Sequence, residues 1–449
     1  MGRGSSKTSY DILIVGGGVL GITIAFWLSE LYDVDIAIID KESKIPIHTT
    51  SRNTGVVHRP FYLDPEKRGF MARIANRSYI MWKKLVTYFN LPWKTTGIIE
   101  VATDYRDLKV LRKYLIWARS NGMSDDELEI LDHRDVRKLE PEVDCVEALY
   151  SRLDASTHFG ILARKIYELS ARNGVKLISR CDVDKILAND DLKVVCRSGE
   201  MFSGKLLINS AGCGSLKLAR SLDIATEFSE LYFRGDYWVV DRVFGEKISR
   251  NIYSVPKRRD FPFLDPHLVV RYNGEREIGP SATPVASGYA YYFPYNTISD
   301  LVKVFLDPPV VPKLKIMANR SFISLARDEW RSTLSRKHMV RRMKRFLPNI
   351  EEKYLISRGT AGVRCQLIDG KGLVLNPKIL IYDRSIHILN YNSPGATGAP
   401  AFSAVIVDIL YRKGYLDSFK PREKYRYSYI WSFEEALKDI SSVAQLLYR

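Results

Sequence analysis

Three rhythms of apolar residues divide the chain, and each predicts a type of element. Residues 11–15 (DILIV) form an apolar run rich in β-branched side chains, the composition of a strand buried on both faces. From 18 to 31 the apolar positions recur at helical spacing, and 34–39 supplies a second buried strand, so a βαβ unit is expected. Residues 63–140 read as mainly helical, with 70–89 amphipathic, a strand at 96–102, and a helix at 132–140 that opens on a capping Asp132 and stops at Glu140-Pro141. Another amphipathic helix is predicted over 156–173, then strands at 175–181, 193–197 and 206–209. Between 226 and 310 the texture changes. Stretches 232–240, 268–272 and 289–293 alternate aromatic and β-branched residues between turns, the pattern of an antiparallel sheet. Residues 320–350 are expected to be helical, 385–389 a strand and 401–411 a helix.

The first βαβ unit carries the sharpest chemistry. Its strand feeds into Gly16-Gly17-Gly18-Val19-Leu20-Gly21, and Asp40 closes the second strand about 20 residues later. Gly16 suits the tight turn, Gly18 lets the backbone approach a pyrophosphate, and Gly21 lets the helix pack closely on the strand. The pyrophosphate then meets the positive helix end, and Asp40 is placed to accept hydrogen bonds from a ribose diol. A carboxylate there disfavours a 2′-phosphate, which points to FAD or NAD rather than NADP. Residues 206–214 (LLINSAGCG) are a second such place, where a buried strand ends at Ala211-Gly212. The two together suggest one dinucleotide domain built from separated segments.

Composition narrows the class. The 449 residues allow two or more packed units, and 46% hydrophobic residues exclude wholesale disorder. No apolar stretch approaches the ~20 residues of a membrane-spanning helix, and residues 1–10 lack the apolar core of a signal peptide. A cytoplasmic location is expected, with a peripheral position on the inner face of the cell membrane as the alternative. Five scattered cysteines without CxxC spacing suggest neither zinc nor a disulfide framework, so reduced thiols are expected. No metal-ligand spacing and no Ser/His/Asp elbow is present. The net charge of +16 admits an acidic substrate, a membrane surface, or simply a basic and highly charged exterior such as a heat-adapted protein carries. No nucleic-acid motif accompanies it, so no nucleic-acid partner is expected. The run 335–345 (SRKHMVRRMKR) reads as a solvated face or, more sharply, a membrane or partner contact. The tail from 413 is basic and aromatic, then amphipathic from Ser432, and would dock on the core, a partner or a lipid surface.

Two loops complete the set of candidates. Thr49, Thr50, Ser51, Asn53 and Thr54 are small polar residues able to extend a cofactor cradle, and His58 and Arg59 follow them. Residues 392–400 (NSPGATGAP) run into the 401–411 helix and offer a second helix N-terminus to an electron-rich group.

Taken in order, these pieces resemble the FAD-dependent D-amino-acid oxidase superfamily over roughly residues 10–412. Within it they look most like L-2-hydroxyglutarate dehydrogenases or oxidases and compact glycerol-3-phosphate oxidases or dehydrogenases. The resemblance is carried by 49–58 (TTSRNTGVVH), 261–274 (FPFLDPHLVVRYNG), 278–282 (IGPSA), 362–370 (GVRCQLIDG) and 392–401 (NSPGATGAPA). It implies an α/β fold, α+β overall. A Rossmann-like FAD domain would come from residues 8–80, 151–225 and 359–412. A substrate domain with a mostly antiparallel sheet would come from 81–150 and 226–358, and 413–449 would be a tail outside the resemblance. It implies non-covalent FAD, attachment through Cys365 being the minor alternative, and oxidation of a CH–OH group by hydride transfer to flavin N5. His58 would bind the hydroxyl and act as base, and Arg364 would anchor an anionic group, its bland alternative being a salt bridge. Arg271, His267 and Ser393 would be further contacts. Lys41 and Val183 would join the cofactor cradle, and Gly395, Ala396, Thr397 and Gly398 would face the flavin pyrimidine. The chain departs from the family at Arg59-Pro60, where small residues are usual, which puts charge and stiffness near the flavin face. Thr49-Thr50-Ser51 leans to the glycerol-3-phosphate branch, whereas 262–274 and Gly362 to Gln366 lean to 2-hydroxyglutarate. The electron acceptor would be a quinone, an electron-transfer protein or oxygen. A different class, a non-catalytic flavoprotein subunit of a membrane-associated complex, is the other reading.

Overall fold

The computed structural model describes residues 7–188, 191–257, 265–292 and 297–440. Residues 261–264 of one quoted stretch, Phe293 of an expected strand and 441–449 of the tail lie outside these.

The continuous apolar runs become the centre of an eight-stranded sheet. Strand β1 (Ser9–Val15) pairs in parallel with β2 (Ile36–Ile39) on one side and β3 (Met201–Asn209) on the other. Strand β4 (Ser385–Leu389) pairs in parallel with the far end of β3, Leu207 opposite Ser385 and Asn209 opposite His387. Residues 12–15, 36–39 and 206–208 at the middle of the sheet are apolar because both faces are covered there. Helix α1 (Val19–Leu31) is buried at each of its 13 residues. It lies against α3 (Phe159–Arg172) and α4 (Gly395–Arg412), and α4 also packs on α2 (Pro65–Phe89). A helix enclosed this way has no polar face, which is why its sequence shows little amphipathicity.

A second eight-stranded sheet is antiparallel except where Asn251–Ser254 runs parallel to Ile98–Ala102. A four-stranded antiparallel sheet joins Ser229–Gly235 to Gly362–Asp369. The architecture is mixed α/β.

Several expectations need correction. The 232–240 stretch is two strands in two sheets, Ser229–Gly235 and Trp238–Val240. They separate at Asp236, whose carboxylate accepts from Arg234 Nε at 2.8 Å and from the hydroxyl of Thr333 at 3.3 Å. Tyr289 to Tyr292 form no strand: their rings are taken instead by Lys41, His48 and Arg52. Helix α4 starts at Gly395, six residues before the expected start, with Pro400 inside it. Pro400 leaves the Ala396 carbonyl without its helical donor, and Trp82 Nε1 donates to Ala396 O at 3.3 Å and Thr397 O at 2.9 Å.

The cysteines also differ from expectation. Cys181–Cys196 and Cys213–Cys365 are disulfides, and only Cys145 is free. Their Cα separations are 5.3 and 5.5 Å, so the pairing arises from segments brought together in space rather than from spacing in sequence.

The basic run 335–345 packs Met339, Val340 and Met343 into the core of the second sheet. Arg342 pairs with Glu329 at 2.8 Å and Arg345 with Asp265 at 3.2 Å. The described part of the tail docks on the first core through Phe419, Tyr427, Ile430 and Trp431, with Trp431 Nε1 donating to Met81 O at 2.8 Å. No helix among the described residues is long and apolar enough to cross a membrane. No group of three or more His, Cys, Asp or Glu side chains among them could hold a metal ion.

Candidate functional site

Because β1, β3 and β4 are parallel neighbours, the loops that follow them open on one edge of the sheet, where ligands of such sheets bind. Gly16 leaves β1 at φ +105°, and a Cβ there would sit 2.5 Å from Ser210 O. At Gly21 a Cβ would lie 2.0 Å from Gly16 O, so the helix touches the turn only because residue 21 is glycine. Gly18 differs: its added Cβ would meet only the Thr50 hydroxyl, at 3.5 Å. The space beside it belongs to a cavity. Asp40, following β2, accepts from Gly17 N–H at 2.6 Å, and Thr50 Oγ1 accepts from Val19 N–H at 3.0 Å.

That cavity has a volume of about 340 Å³ and is lined by most of the sequence candidates. They include Gly16, Gly18, Val19, Leu20, Asp40, Thr49, Thr50, Asn53, Thr54, His58, Ala211, Gly212, Arg364, Ser393, Gly395, Ala396 and Thr397. A cradle with no side chain at Gly18, the first turn of α1 and an acid after β2 match the pyrophosphate and ribose of a dinucleotide. The N-terminus of α4 faces the same space. The residues present therefore fit FAD.

Seven candidates lie elsewhere. Gly21 and Gly398 are packing positions; a Cβ on Gly398 would press on Ile74 at 2.6 Å, between α4 and α2. Lys41 Nζ sits 3.0 Å from the centre of the Tyr289 ring, and burial lowers its pKa. Ser51 donates to Pro46 O at 2.7 Å. Val183 lies in an outer antiparallel strand, in the cluster with Ile186 and Val194. Arg271 is bound to Glu277, its Nε donating at 2.7 Å, and lines a separate pocket with Asn53 and Tyr272. His267 is stacked on Tyr253 with ring centres 3.9 Å apart, and its Nδ1–H donates to Asp265 O at 2.9 Å. Burial pushes its imidazole down to about 4.

His58 follows the short strand Val56–Val57 and is buried at the cavity wall. Its backbone N–H donates to Thr397 Oγ1 at 3.2 Å, and its Nδ1 lies 3.7 Å from Asp154 Oδ1. Asp154 is fully buried and accepts from Arg59 N–H at 2.8 Å and Ser151 Oγ at 2.5 Å. Arg59, expected to bring charge to the flavin face, instead forms a two-point pair with Glu127 at 2.7 and 2.9 Å. Arg364 projects from the Gly362–Asp369 strand, and burial, with Arg68 adding repulsion, pulls its guanidinium down to about 10. The next residue, Cys365, is held in the disulfide to Cys213, which leaves no thiol there for attachment to a flavin.

Sequence reasoning missed Asp154, Arg68, Glu230 and Tyr391. Glu230 and Tyr391 line the cavity, and burial pushes the Glu230 carboxyl up to about 8. A signal existed for Glu230 alone, an acid in an aromatic strand; the others depend on distant contacts.

The family described as FAD dependent oxidoreductase (DAO) matches residues 11–409. Mitochondrial L-2-hydroxyglutarate dehydrogenase of Caenorhabditis elegans is 28% identical over 413 residues, which cover 88% of this chain and 92% of that one. L-2-hydroxyglutarate dehydrogenase of Indibacter alkaliphilus is 26% identical over 413 residues, 89% of this chain and 98% of that protein. Among solved structures, dithionite-reduced L-α-glycerophosphate oxidase of Mycoplasma pneumoniae with FAD bound is similar at TM-score 0.73 and 19% identity, covering 93% of this chain and 97% of that one. At that identity the likeness is one of fold. With a match that runs from β1 into α4 and a cradle shaped for the dinucleotide, this chain belongs to the FAD-dependent oxidoreductase family.

Proposed function

We propose that the protein oxidises a small anionic 2-hydroxy acid of the L-2-hydroxyglutarate type. The observation that carries this reading is the meeting of His58, backed by buried Asp154, with Arg364 in the cavity that holds the glycine turn. FAD, when bound, supplies the acceptor for the hydride that leaves the substrate carbon. Arg364 would grip the substrate carboxylate with parallel N–H donors, fixing the carbon that bears the hydroxyl. His58 would accept the hydroxyl proton on one ring nitrogen, and the Asp154 carboxylate, 3.7 Å from Nδ1, would offset the charge the ring gains. The relatives named above as L-2-hydroxyglutarate dehydrogenases support the choice of substrate. In this reading residues 8–80, 151–225 and 359–412 carry the cofactor, and 81–150 and 226–358 cover the substrate.

Glycerol 3-phosphate is the rival, favoured by the fold likeness to the Mycoplasma oxidase. The acceptor would be a quinone, an electron-transfer protein or oxygen. A peripheral membrane position rests on exposed Ile298, Val302, Leu306, Val311 and Leu314 in two successive helices, and flotation with anionic vesicles decides it.

Anaerobic bleaching of the bound flavin tests the substrate. L-2-Hydroxyglutarate should bleach it and glycerol 3-phosphate should not. The reverse result moves the protein to the rival substrate, and no bleaching by any hydroxy acid refutes the reading. His58→Ala should slow bleaching by roughly 10²- to 10⁴-fold.

A further inference from the structure

Arg68 lies at an interruption in α2. The first turn of that helix is capped by Asp64, whose carboxylate accepts from Glu66 N–H at 3.0 Å and Lys67 N–H at 3.4 Å. Arg68 itself leaves helical geometry, at φ −134° and ψ 17°, before the helix resumes. From there its Nη2 donates to Ser393 O at 2.7 Å, and Ser393 lines the cavity. A regular helix gives its side chains evenly turned directions. The break at Arg68 coincides with a guanidinium that reaches the loop before α4.

The electrostatics of this guanidinium are incomplete. Its Nε is buried and has no hydrogen-bond partner, and among the described residues no carboxylate pairs with it. Burial lowers its pKa, and the group that acts against this is Tyr62, a phenol. Arg68 in turn adds repulsion at Arg364. Arg364 in the cavity wall and Arg68, bound to the lining residue Ser393, are desolvated guanidiniums that repel each other, and negative charge between them relieves this. A single carboxylate on Arg364 neutralises one of them.

We propose that Arg68 is a specificity-determining residue that binds a second anionic group of the substrate, so that the Arg364–Arg68 pair selects dicarboxylic over monocarboxylic 2-hydroxy acids. Arg364 would take the carboxylate next to the reacting carbon, and Arg68 the distal one through its Nη N–H groups. The inference rests on the proposed function for the identity of the first carboxylate.

The test uses the FAD-loaded full chain with Arg68→Met and Arg68→Lys. L-2-Hydroxyglutarate is compared with L-2-hydroxypentanoate, which has the same carbon count and no distal carboxylate. Arg68→Met should raise KM for the diacid roughly 10- to 100-fold with kcat nearly unchanged. KM for the monoacid should stay within about twofold, and Arg68→Lys should recover much of the diacid preference. Equal losses for both acids, or none, overturn the proposal. Calorimetric binding of glutarate against pentanoate separates this failure from failure of the proposed oxidation. If no hydroxy acid bleaches the flavin, selective loss of glutarate binding in Arg68→Met still supports the anchor, and unchanged binding refutes it. Matching unfolding temperatures of the variants and wild type exclude a folding effect.

Discussion

Gly18 separates what the glycine turn does for folding from what it does for the cofactor. Its backbone is extended, φ −78° and ψ 177°, a conformation open to any residue. A Cβ there meets only the Thr50 hydroxyl at 3.5 Å, ordinary contact distance. Gly18→Ala should therefore fold, at a cost of about 0.5 kcal/mol for a poorer helix cap. The same methyl occupies the space where a pyrophosphate would approach the first turn of α1. Displacing it from one or two N–H donors removes about 2–4 kcal/mol, since a hydrogen bond to a charged group is worth about 1.5–3 kcal/mol. The dissociation constant for FAD should rise roughly 30- to 1,000-fold. Gly21→Ala is the contrast: its Cβ would lie 2.0 Å from Gly16 O, so helix and turn must part and about 1–3 kcal/mol of stability is lost with or without FAD. The assay is flavin titration of apoprotein by fluorescence quenching, with thermal unfolding of the same samples. Wild-type FAD affinity in Gly18→Ala would refute the placement of the pyrophosphate. A large fall in apoprotein stability would show that Gly18 is a packing residue.

The remaining predictions concern stability. Burial pushes the Glu230 carboxyl from 4.5 up to about 8, so between those values the folded state holds a proton that the unfolded state has released. Stability from this group is complete below about pH 4.5 and declines as pH rises toward 8. Glu230→Gln should flatten that decline and exceed wild type in unfolding temperature at pH 8, and superimposable pH profiles would show that Glu230 is ionised in the fold. Chain-entropy arguments also rank the two disulfides. Cys213–Cys365 spans 152 residues and Cys181–Cys196 spans 15, so replacing each pair by serines should cost about 5 and about 3 kcal/mol respectively. Denaturant titration measures both, and a reversed order would refute the entropic ranking.

What could be read from the sequence was whatever the chain settles locally. The strand, helix and strand over residues 9–39 are contiguous, so their rhythm survives folding and Asp40 reaches Gly17 within one unit. Elements whose form is set by distant partners were not legible in this way. Pro400 reads as a helix breaker until Trp82 supplies the donor it removes. Tyr289 and Tyr291 have strand composition, yet Lys41 and His48 hold their rings in a loop. Cysteines 15 and 152 residues apart show no spacing signal, and two disulfides replaced the expected free thiols.

The candidate site sits between these cases, and topology explains its partial legibility. Small residues follow three separate buried strands: Gly16 after β1, Ala211-Gly212 after β3, and Gly395 at the start of α4 beyond β4. Nothing in a linear sequence places these side by side. Once β1, β3 and β4 are parallel neighbours, their following loops must open at one edge, and the cavity forms where they meet. The cofactor cradle needs only these backbone positions, so a pattern of small residues announces it. The chemistry needs side chains aimed from elsewhere, and each depends on a contact that no periodicity encodes. Asp154 stands behind His58 across 96 residues of chain and Arg68 reaches Ser393 across 325, so the sequence showed His58 and Ser393 but concealed the groups that contact them.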